Sequence, residues 1–133
     1  MEILYQSAFK TTTYEAELSL ITNIWTDKPM ETWDFQNEIL VWADLVEKYK
    51  PKNLIADTKK FNFIVSVELQ TWTNHVIFPR LINSGVLKFA VIETDDVVNQ
   101  MSLEQTMEEE TTGQFRYLFF KTMEEARNWV KKS

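Results

Sequence analysis

The sequence predicts a single α/β domain. Three observations carry that expectation: the apolar period changes from two to between three and four after T-D-K-P at 26–29, strand-length apolar runs alternate with amphipathic helices from there on, and the composition can fill one core. The 133 residues are 44% hydrophobic and 14% aromatic, enough for a core without staples and unlike a disordered tail.

The elements follow in order. EILYQSAF at 2–9 reads as a strand and TTT at 11–13 as a short connection. YEAELSLITNI at 14–24 is a second strand, because Tyr14, Ala16, Leu18, Leu20 and Ile24 share one face while Glu15, Glu17, Ser19 and Asn23 share the other. An antiparallel hairpin is the natural pairing. Phe35, Ile39, Trp42, Val46 and Tyr49 then step by four, three, four and three, one stripe of a helix that Pro51 stops. NLIADT is a brief strand, and residues 66–84 form a second helix ending at Asn83-Ser84-Gly85, a left-handed stop. Inside that helix Pro79 frees the His75 carbonyl and should bend the rod. VLKFAVIE at 86–93 is a strand. DDVVNQMSLEQTMEEE at 95–110 is a helix, with a capping-box restart offered at Ser102 and three carboxylates opposing the dipole at its end. FRYLFF at 115–120 is the last strand, and T-M-E-E from Thr122 caps a final helix through Trp129. The sum is an N-terminal antiparallel hairpin followed by alternating helices and strands. It makes a mixed, mainly parallel sheet with about four helices, in one domain spanning 1–133.

Composition excludes several functions. A net charge of −6 argues against nucleic acid, whose phosphates need a basic surface. The chain has no cysteine, hence no disulfide, thiolate nucleophile or cysteine metal site. Its two glycines, Gly85 and Gly113, allow neither a G-x-G-x-x-G turn nor a Walker loop. MEILYQSAFK lacks the apolar region of a secretory signal, and no apolar run nears the ~20 residues of a membrane span. A soluble, cytoplasmic protein with no cofactor is expected.

Open α/β sheets bind ligands beyond the carboxyl ends of their parallel strands. That rim should gather Asp57, Lys59, Lys60, Ser66, Asp95 and Lys121. Ser66 and Thr122 can equally be plain helix caps, each contributing ~1 kcal/mol, and the lysines can simply be solvated. An aspartate ending a central strand, an acidic pair and a lysine after the last strand also resemble response-regulator receivers, though Asp57 reads equally as a loop or sheet-end residue. The acidic residues needed after an early strand to hold magnesium are missing, apart from a lone Asp27. His75, the only histidine, has no spacing to a serine or carboxylate that marks a general base. Trp72, His75 and Phe78 flank the Pro79 bend, which either opens an apolar pocket or fits the helix to a twisted sheet over an ordinary core.

In its element order, in LIADTKKFNFIVSVELQTW and in the closing FKTMEEARNWV, the chain resembles the STAS superfamily (sulfate transporters and anti-sigma-factor antagonists). The similarity is greatest to a small bacterial single-domain branch grouped with lipid-transfer-like domains, and it covers nearly the whole chain. Phospho-switching members carry an Asp-Ser-Ser-Gly-like turn after this strand. Matched on LIAD and Phe63, those four positions hold Val65, Ser66, Val67 and Glu68, so the acceptor serine falls on Val67 and Ser66 lies one step early. The resemblance implies a non-catalytic regulatory module that binds a protein partner or itself. The alternative is a binder of a small apolar or lipid-like ligand beneath the Pro79-bent helix. An enzyme would require Asp57, Lys59, Asp95 and Lys121 to converge tightly.

Overall fold

Six strands form one sheet in the order in which the chain makes them: β1 (Glu2–Gln6), β2 (Lys10–Glu15), β3 (Leu20–Trp25), β4 (Asn53–Asp57), β5 (Lys88–Ile92) and β6 (Arg116–Phe120). The structure, a computed structural model, describes residues 1–108 and 115–132. β1, β2 and β3 pair antiparallel, and β3 to β6 pair parallel. This is the α/β architecture predicted, an antiparallel start followed by alternating helices and strands.

The antiparallel part differs from the expected hairpin in two respects. Thr11, Thr12 and Thr13 do not connect two strands; they lie inside β2, facing Ile24, Asn23 and Thr22 of β3. β-branched residues prefer an extended backbone, and the turn falls earlier, where the Ser7 hydroxyl accepts from the Phe9 and Lys10 amides. The predicted strand at 14–24 is broken by a single 3-10 turn, Ala16–Leu18, closed by Ser19 at φ 47°. Apolar and polar residues alternate straight through that turn, which is why the break is invisible in the pattern. The result is a three-strand meander.

α1 (Thr32–Tyr49) joins β3 to β4, and α4 (Val97–Glu108) joins β5 to β6. Between β4 and β5 run α2 (Val67–Trp72), one π-helical turn (Thr73–Ile77) and α3 (Phe78–Asn83), continuous enough to count as one rod among four. Each parallel strand is added on the same side of the last, so right-handed crossovers place these three connections on one face. α5 (Met123–Lys131) returns over the other. The buried clusters divide accordingly. Ile21, Trp25, Leu54, Phe89 and Val91 pack under the first three rods, whereas Leu20, Ile55, Ala90 and Ile92 pack under Ala126 and Val130 of α5. Glu15 holds Arg127 through contacts of 2.6 and 2.9 Å, fastening α5 to β2. Arg80 bridges to Asp44 and Glu47, fastening α3 to α1.

Helix ends follow the sequence signals closely. Ser66 accepts the Leu69 amide at 3.2 Å, Thr122 accepts the Glu125 amide at 3.2 Å, and Gly85 takes φ +97° after α3. α4 differs: it does not restart at Ser102 but begins under Asp96, whose Oδ1 accepts the Asn99 amide at 2.9 Å. Of the acidic run at 107–110, residues 109 and 110 lie outside the described residues. Pro79 brings a π turn in place of a simple kink. The Phe78 amide reaches back to the Thr73 carbonyl, widening the rod just before proline, which then occupies the first turn of α3 where its missing N–H is harmless. Among the described residues no helix is long and apolar enough to cross a membrane.

Candidate functional site

The carboxyl rim of the parallel strands is shaped by residues 58–66, a segment with no helix or strand of its own. Backbone without a ladder must find other partners when it is buried, and α4 supplies them. Asn99 Nδ2 donates to the Phe61 carbonyl at 3.0 Å, and the Ser102 hydroxyl accepts the Val65 amide at 3.1 Å. Ser102 also donates to the Asn99 carbonyl, and Thr106 to the Ser102 carbonyl, both at 2.8 Å.

To do this α4 turns its polar stripe inward. Asn99, Ser102 and Thr106 are buried together with Met107, while Val97, Val98 and Met101 are each more than half exposed. The segment it tethers adds Ile64 and Val67, exposed to the same degree. Ile64 and Val98 share a groove of about 450 Å³ with Met30, Phe63, Asp96 and Asn99. Trp33, near Met30 at the start of α1, is two-thirds exposed. The rim therefore carries an apolar collar, and exposed Glu68, Asp95, Asp96 and Glu104 lie close to it in sequence.

The predicted site residues fall into three places. Asp57, Lys59 and Lys60 line one groove with Ile24 and Asp27; Lys59 and Lys60 line a second with Asp95 and Asp96. Asp57 is also a turn residue, its Oδ1 accepting the Lys59 amide at 3.1 Å. Lys121 is exposed at the end of β6 and lines neither groove. Ser66 is exposed and caps α2. His75 is exposed on the π turn, Trp72 is half-buried against the core, and Phe78 lies inside it. Phe78 lines an internal cavity of about 70 Å³ between β3–β5 and the three rods. Among the described residues, no group of three or more acidic or histidine side chains could hold a metal ion.

Sequence reasoning missed a buried polar network at the antiparallel end. Lys10 is fully buried and donates to Thr12 Oγ1 at 2.9 Å; Thr12 in turn donates to Asn23 Oδ1 at 2.7 Å. Glu38, on the buried face of α1, lies 4.0 Å from the Lys10 ammonium and accepts from the Tyr5 hydroxyl at 2.7 Å and the Ser7 hydroxyl at 2.8 Å. The Tyr5 ring lies 4.6 Å from the ammonium. Burial lowers the Lys10 pKa to about 8, partly offset by Glu38. Tyr5 is raised, first by burial and then by its hydrogen bond to Glu38. The signal was present: Glu38 stands three residues after Phe35 and one before Ile39, a charge within the apolar stripe of α1.

No family model, curated protein or solved structure matches this chain. Its function rests on the geometry above.

Proposed function

We propose that the chain is a non-catalytic, STAS-like interaction module that binds a protein partner through the collar of Ile64, Val67, Val97, Val98 and Met101. The inverted face of α4 carries the proposal. A helix that buries asparagine, serine and threonine while presenting valines and a methionine gains little from burial in its own core, and such exposed apolar surface marks contact sites. Methionine and tryptophan, here Met101 and the nearby Trp33, are enriched in interfaces.

The partner's chemistry follows from the surroundings. Acidic residues border the apolar stripe, and the net charge is −6. An amphipathic helix with an aliphatic face flanked by lysine or arginine complements both features. Val67 also occupies the position where phospho-switching relatives in the resemblance carry the acceptor serine. An aliphatic side chain there takes no phosphate and adds to the collar, so binding is ungated at that point.

Photo-crosslinking in the native host tests this. A benzophenone amino acid at position 98 should capture one polypeptide reproducibly, and the same group at Asn128, exposed on α5 across the sheet, should not. The captured protein should contain a basic amphipathic segment that binds the purified chain more weakly as salt rises. Equal capture from both positions, or a partner bound by acidic segments, overturns the proposal.

A further inference from the structure

The two edges of the sheet end differently. β1 carries Glu2 and a bulge between Ile3 and Tyr5, and charges and bulges are the usual means of keeping an edge from pairing with another chain. β6 has neither between its ends. Arg116 to Phe120 pair with β5 in unbroken register, without proline or internal charge, and Arg116 and Lys121 stand at the two ends. Leu118 is 47% exposed. α5 does not roof this edge, since Ala126 and Val130 pack over Leu20, Ile55, Ala90 and Ile92 of β3 to β5.

The backbone of that edge is open in a definite pattern. β6 is the last strand of the sheet, with β5 on one side and, among the described residues, no strand on the other. The Arg116 amide donates to the Leu87 carbonyl at 2.9 Å, and the Phe120 carbonyl accepts from the Glu93 amide at 2.8 Å. Successive residues of a strand turn their N–H and C=O groups to opposite sides. Arg116, Leu118 and Phe120 therefore bond inward, and Tyr117 and Phe119 present theirs at the edge. A donor and an acceptor thus stand on either side of Leu118.

We propose that β6 pairs antiparallel with β6 of a second copy of this chain, about a two-fold axis through Leu118, joining two six-stranded sheets edge to edge. The strand is complementary to itself in that register, as a two-fold interface requires. Tyr117 of each copy exchanges both backbone bonds with Phe119 of the other. Leu118 meets its own copy at a non-hydrogen-bonded position, where side chains approach most closely. Charge agrees: Arg116 faces Phe120 and Lys121 faces Phe115, so no like charges stand opposed. Sliding the strands by two residues keeps the bonding pattern but pairs only three of the five residues of β6. One short strand per copy makes a small interface, below about 1,200 Å². The dimer therefore forms at roughly 0.1–1 mM chain and dissociates at low micromolar concentrations.

Sedimentation velocity on the full chain, at concentrations rising to about 1 mM, tests this beside three variants. The unmodified chain should pass from monomer to dimer. Leu118→Lys, which sets two ammonium groups against each other at the axis, should stay monomeric throughout. Ile3→Lys on the opposite edge and Val98→Asp on the collar should dimerise like the unmodified chain. Isotope-filtered NMR on a mixture of labelled and unlabelled chain should show contacts between the Leu118 methyls of the two copies; if Leu118→Lys fails to fold, those contacts still decide. A monomer at every concentration, species larger than a dimer, a dimer retained by Leu118→Lys or lost in either other variant, or absent methyl contacts in the dimer overturns the inference.

Discussion

α1 and α4 cover the same face of one sheet and are held there in opposite ways. α1 buries Phe35, Ile39, Trp42, Ala43 and Val46, with Glu38 sealed among them. α4 buries Asn99, Ser102 and Thr106 and leaves two valines and a methionine outside. The first arrangement is what a folding core requires. The second is held by hydrogen bonds to residues 61–65, and it leaves an aliphatic face that the fold itself does not use. A helix whose pattern contradicts its burial is where function is most economically sought.

The largest effect should come from α1. Glu38→Ala leaves the Lys10 ammonium buried without its counter-charge and removes the acceptor of Tyr5 and Ser7. A loss of about 3–5 kcal/mol in urea unfolding is expected. Replacing both partners, Lys10→Met with Glu38→Leu, should recover most of it.

The same pair gives a pH signature. The folded Lys10 pKa, about 8, lies below its ordinary value of 10.5. Between those values the unfolded chain holds the proton that the folded chain releases, so stability rises with pH across that window, by up to about 3 kcal/mol. Above pH 10 the raised Tyr5 works the other way, because the unfolded phenol ionises first. Unfolding midpoints measured from pH 7.5 to 10 should rise in the unmodified chain and stay flat in Lys10→Met.

On α4 the effects are smaller and more local. Asn99→Ala strands the buried Phe61 carbonyl and should cost about 1–3 kcal/mol. Hydrogen exchange should quicken around residues 61–65 more than in β4 or β5; uniform quickening would mean that α4 does not tether this segment. Ser66→Ala, which removes only a cap, should cost about 1 kcal/mol and leave partner binding intact.

Most of the fold was legible in the sequence because its signals are local: Ser66, Thr122 and Gly85 terminate helices as their chemistry dictates, and α1 follows its stripe. The N-terminal meander was legible only in part. A 3-10 turn at Ala16–Leu18 keeps the alternation of a strand, and three threonines suit a strand better than a connection. The candidate site was harder to see. Asp57, Lys59, Lys60 and Asp95 do gather on the rim, as strand order requires. The collar stayed hidden because a stripe of valine and methionine at helical spacing is ordinarily read as the buried side, and the parallel stripe of Asn99, Ser102 and Thr106 as the wet one. Which stripe faces inward was decided by the hydrogen-bonding needs of residues 61–65, a tertiary demand with no trace in the period of α4. Lys10 and Glu38 meet across 28 residues for the same kind of reason.

Native mass spectrometry of the chain purified gently from its own host, with Val98→Asp alongside, tests the central claim most directly. Val98 is more than half exposed, so the substitution should change stability by less than about 0.5 kcal/mol. The unmodified chain should carry a second polypeptide, and Val98→Asp should fly at the mass of the bare monomer. The same partner retained on both proteins would show that binding takes place elsewhere, and both proteins flying bare would leave the collar without its partner; either result contradicts the account.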